Sequence, residues 1–89
     1  MPIPVALFHF RLGANHGIGR VQLLHLWSAA CRSNEVAVSR VESGSGHGKM
    51  HTYSLLGPPK NLNIQEVEDR TRDSLTRALP KATFVLSRY

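Results

Sequence analysis

The chain has 89 residues, 42% apolar and 19% charged, which suits one small domain, residues 1–89, with a single core and excludes a disordered chain. Cys31 is the only cysteine, so an internal disulfide framework is excluded. The formal net charge is +5, there is no apolar run near the length of a membrane span and no basic-then-apolar leader, so the expectation is a soluble cytoplasmic protein with no membrane partner.

The first predicted element is a strand over residues 4–12, PVALFHFRL, rich in aromatic and β-branched side chains. Glycines at 13, 17 and 19 end it. Residues 20–32, RVQLLHLWSAACR, read as a helix whose polar stripe is only Gln22, His25, Ser28 and Arg32. That leaves more apolar surface than one helix on a small sheet needs. Trp27 is therefore a candidate anchor for a protein partner, because tryptophan is enriched where interfaces concentrate their energy.

A second strand is expected at 35–42 and a third at 50–56, joined as a hairpin through SGSGHGK. Pro58 and Pro59 stop the third strand. Asn63 then supplies a helix cap, with Glu66 three residues on and Leu62 and Val67 placed as a hydrophobic staple. Ile64, Val67, Leu75, Ala78 and Leu79 share one face of this helix. The other face sets Glu66 against Arg70, Glu68 against Arg72 and Asp73 against Arg77 at i,i+4 spacing. Pro80 ends the helix, and residues 81–89 read as a last strand.

The order strand, helix, strand, strand, helix, strand points to an α+β protein, the ferredoxin-like split β-α-β sandwich (βαββαβ), with a four-stranded antiparallel sheet and both helices on one face. Side-chain alternation puts Phe8, Phe10, Val36, Val38, Tyr53, Leu55, Phe84 and Leu86 beneath the helices. Leu7, His9 and Arg11 fall on the open face. That face is then small and hydroxylated, without the exposed rings on which RNA-binding sheets stack bases. It also suits packing against the sheet of a second copy, a homodimer.

Residues 1–60 carry Arg11, Arg20, Arg32, Arg40, Lys49 and Lys60 against only Glu35 and Glu42, whereas 61–89 are close to balance. An uncompensated basic region suits an anionic partner such as nucleic acid. The glycine-rich stretch GANHGIGR leads from strand to helix, where backbone N–H groups and the helix end favour an anion. The candidate anion-binding residues are Arg11, His16, Gly17, Gly19, Arg20 and Lys49; the alternative is that these glycines only turn the chain.

The spacing is not the dinucleotide fingerprint, and no acid follows to hold a ribose. The tetrapeptide GRVQ at 19–22 resembles part of the phosphate cradle of acylphosphatases, which would imply a phosphate-handling hydrolase on residues 13–20. Here it lies seven residues after the strand and continues LLHLW rather than with the Gly-Val and Phe-Arg of that family. GSGHGK resembles the tail of a P-loop but has Ser43 and Met50 where glycine and a hydroxyl residue belong. His47 and His51 are four apart outside a helix, and no carboxylate pairs with them, so no metal site and no cofactor is expected. Cys31 reads as a small core residue. No catalytic set emerges, and the leading expectation is a small basic binding module rather than an enzyme, with a protein-interaction module as the alternative.

Overall fold

The computed structural model describes residues 3–13, 16–44, 49–60 and 62–89. The elements run β1 (Val5–Gly13), α1 (Arg20–Cys31), β2 (Ala37–Ser43), β3 (Met50–Gly57), α2 (Ile64–Ala78) and β4 (Ser87–Arg88). The four strands form one antiparallel sheet in the order β2-β3-β1-β4. The tip of the hairpin expected around His47, residues 45–48, lies outside the described residues.

Alternation along β1 sends Phe8, Phe10 and Leu12 to one side, and its neighbour β3 sends Tyr53 and Leu55 to the same side. These five meet Leu23, Trp27, Ala30 and Cys31 of α1 and Val67 and Leu75 of α2 in a single buried cluster. Phe10 stacks on Tyr53 at 4.9 Å, and Trp27 meets Phe8 edge-on at 5.8 Å. Such pairs add to the hydrophobic gain from burial. The Arg70 Nε–H donates to the Ala30 carbonyl at 2.9 Å and ties the two helices together.

The second helix forms as its sequence dictates. Asn63 Oδ1 accepts the Glu66 N–H at 3.2 Å, which satisfies one of the donors a helix start leaves open. The three i,i+4 pairs close at 3.7 Å for Glu66–Arg70, 3.6 Å for Glu68–Arg72 and 2.9 Å for Asp73–Arg77. α1 ends differently. Arg32 takes a left-handed φ of 54°, and the Ser33 N–H turns back to the Ser28 carbonyl at 3.3 Å.

Four expectations need correction. Trp27 is 0% exposed, and its indole N–H donates to the Leu56 carbonyl at 2.7 Å, so it anchors the core and offers nothing to a partner. The last strand shrinks to two residues. After α2 the Ala82 N–H closes a turn on the Leu79 carbonyl, and packing of Phe84 against Phe10, not ladder bonding, then guides the chain past β1.

Leu7 does not follow the alternation. The pairing of β1 with β3 shifts register between Ala6 and Phe8, which turns Leu7 toward Gly57 on the helix side. Nor is the open face without rings. Tyr89 lies across it, its ring 4.7 Å from that of His9 and its hydroxyl 2.6 Å from Ser54 Oγ.

Candidate anion-binding cleft

The first helix starts without the side-chain cap that the second possesses. Gly19 occupies the cap position with extended dihedrals; its carbonyl accepts the Leu23 N–H at 2.9 Å, but it has no side chain to accept from the first-turn N–H groups, and that turn contains no acid. The donors there carry the helix's positive partial charge, and among the described residues no acid of the first turn meets it. Tyr53 holds the approach to this end in place: its hydroxyl accepts the Ile18 N–H at 3.4 Å and stands 3.6 Å from where a Gly17 side chain would begin.

A cleft of about 440 Å³ opens between this helix start and the edge strand β2. Ile18, Leu23, Val38 and Tyr53 supply its apolar wall, and Gly19, Arg20 and Arg40 its polar one. Arg40 stands opposite Tyr53 in the β2–β3 ladder, so alternation turns it to the side that α1 covers. Among the described residues neither Arg20 nor Arg40 has a carboxylate within ion-pair distance. Every acid on α2, by contrast, is matched by an arginine.

The structure brings together only part of the set expected from sequence. Gly19 and Arg20 line the cleft, and Gly17 abuts Tyr53 at its margin. His16 is half-buried, its N–H donating to the Gly13 carbonyl at 3.0 Å, and does not line the cleft. Arg11 is exposed on the other face of the sheet, beside a groove it shares with His9 and Ser87. Lys49 is exposed just before β3 and takes no part in the lining. Ala14 and Asn15, inside the glycine-rich stretch, lie outside the described residues.

Arg40 and Tyr53 are the contributors that the sequence motif misses. Their signal is strand alternation: Arg40 follows Val36 and Val38 at even spacing, and Tyr53 pairs across from it.

No three metal-type ligands converge among the described residues. His51 Nδ1 is buried without a hydrogen bond, 3.6 Å from Glu42 Oε1, outside the cleft. Cys31 belongs to the core; burial pushes its thiol up to about 12, with Arg70 opposing the shift weakly. Among the described residues no helix is long and apolar enough to cross a membrane. Comparison with protein-family models, curated proteins and solved structures finds no match.

Proposed function

We propose that the protein is a non-catalytic binding module of the ferredoxin-like class that holds the phosphate backbone of a nucleic acid, by charge, between Arg20 and Arg40. The class assignment is supported by two split connections: β3 lies between β1 and β2, and β1 lies between β3 and β4. The observation that carries the function is two arginines without a carboxylate partner, among the described residues, facing one cleft with the uncapped start of α1.

Fixed cations there raise the local concentration of phosphate, and open N–H donors give it directed hydrogen bonds. The net charge of +5 adds long-range attraction. The described cleft lining presents two guanidinium groups, which hold a phosphate by charge and paired hydrogen bonds.

Fluorescence anisotropy with a labelled oligonucleotide, titrated at several salt concentrations, tests the proposal. Binding is expected to weaken steeply with salt. Arg20→Ala and Arg40→Ala should each lower affinity similarly for all sequences and reduce the salt slope by about 0.7–0.9. A folded wild-type protein that leaves the oligonucleotide unbound at low salt ends the reading. Acyl-phosphate turnover that disappears with Arg20→Ala replaces it with a hydrolase.

A further inference from the structure

We propose that the open face of the sheet is a second nucleic-acid contact, in which Tyr89 and His9 form a stacking platform for an unpaired base beside Arg11. The inference rests on the nucleic-acid reading above and narrows it to single strands. Ser39, Ser54, His9 and Ser87 are cross-strand neighbours in one row of this face, and Val41, Thr52 and Arg11 make the next. Tyr89 is held over the first row at both ends. Its N–H donates to the Leu7 carbonyl at 3.1 Å, and its hydroxyl meets Ser54 Oγ at 2.6 Å.

Tyr89 so fixed is still 66% exposed as a residue, with the His9 ring 4.7 Å from its own and tilted by 48°. A preorganised aromatic surface loses little further freedom on binding. Arg11 lies two residues along β1 from His9, exposed and, among the described residues, without a carboxylate partner. It is placed to meet the phosphate attached to a base stacked on the rings.

Where β4 leaves the ladder, a groove of about 360 Å³ runs between His9 and Arg11 on one side and Val85 and Ser87 on the other, giving the strand a path off the platform. A duplex keeps its bases stacked on one another and has none to offer.

The test uses the full chain with three labelled probes: a single-stranded oligothymidine, a duplex of equal length and inorganic polyphosphate. Tyr89→Ala is expected to weaken oligothymidine binding about 5- to 150-fold, the range that stacking of one base spans. Polyphosphate binding should change less than about twofold under the same stacking argument, and Tyr89→Phe, which keeps the ring, should retain most of the affinity. Urea midpoints establish that the variants remain folded.

Unchanged oligothymidine binding in Tyr89→Ala, with loss in Arg20→Ala, removes the platform and leaves the cleft standing. Duplex bound as tightly as single strand also removes the platform. A dimer in sedimentation velocity that Tyr89→Ala dissolves gives the face to a second copy instead. If none of the three probes binds, both readings fall.

Discussion

Gly57 closes β3 under the point where Leu7, Trp27 and Cys31 meet. A methyl group there would lie 3.1 Å from Leu7 Cδ1 and 3.3 Å from Trp27 Cζ2, tight enough that a neighbour must shift by a few tenths of an ångström. Trp27 cannot step aside without giving up its bond to the Leu56 carbonyl. Gly57→Ala should therefore cost about 1–3 kcal/mol, the usual range for overpacking. The urea midpoint measures it, and an unchanged midpoint would show that Leu7 gives way. The same crowding governs Cys31. With its pKa raised to about 12 by burial, the thiol stays neutral, and native protein should resist alkylation that the urea-unfolded chain undergoes readily. Its contribution to stability is fully present below the ordinary thiol value of 9.0 and declines as pH rises from there toward about 12. Arg32 offers the opposite opportunity. Its φ of 54° is a conformation glycine adopts without steric cost, so Arg32→Gly should raise stability by about 1 kcal/mol in the same assay.

α2 shows how much of the fold local chemistry determines. Its cap, its ion pairs and its buried stripe all arise within a few residues of one another, so the sequence read alone contains them. Replacing Asn63 with Ala should cost about 1 kcal/mol, since Glu66 N–H then loses its acceptor. The partnership between Glu68 and Arg88 is of another kind. Twenty residues separate them, and Arg88 reaches the carboxylate with Nε and Nη2, both at 3.2 Å, from β4. That hydrogen bonding, chiefly, with added attraction from Arg72, holds the Glu68 carboxyl below its ordinary value of 4.5. A lowered pKa stabilises the fold above 4.5, and the gain is lost as pH falls through the depressed value. Stability should drop below 4.5 in wild type, and the drop should be shallower in Arg88→Gln; parallel acid limbs would show that the pair contributes nothing. β4 and Leu7 illustrate what local reading misses. The composition of 81–89 suits a strand, yet the turn at Leu79–Ala82 and the seat of Phe84 on Phe10 settle where pairing begins. One register shift, with no mark in the sequence, reverses Leu7.

Across the whole molecule, charge is distributed by face. The acids of α2 are neutralised where they stand, while Arg20 and Arg40 converge on one side of the sheet and Arg11 projects from the other. Strand alternation puts Arg11 on the open face, while Arg20 begins the helix that covers the other; the glycine-rich motif hides this division because the two arginines sit close in the chain. Arg40 joins Arg20 through β2 lying beside the start of α1, a relation no short motif encodes. A small domain has little stability to spare, so occupancy of such a cleft should be visible as thermal stabilisation. Phosphate at ten times its dissociation constant would add about 1.4 kcal/mol if it binds only the folded state. In a domain of this size that corresponds to a rise of about 5–10 °C in Tm. Phosphate also stabilises proteins generally by exclusion from their surfaces, so the comparison must be with the Arg20→Ala/Arg40→Ala variant at the same concentration. Wild type should gain the larger shift, saturating with phosphate, whereas the variant should show only the smaller, linear rise that exclusion produces. Equal shifts in the two proteins would assign the whole effect to solvent and leave the cleft without an anion.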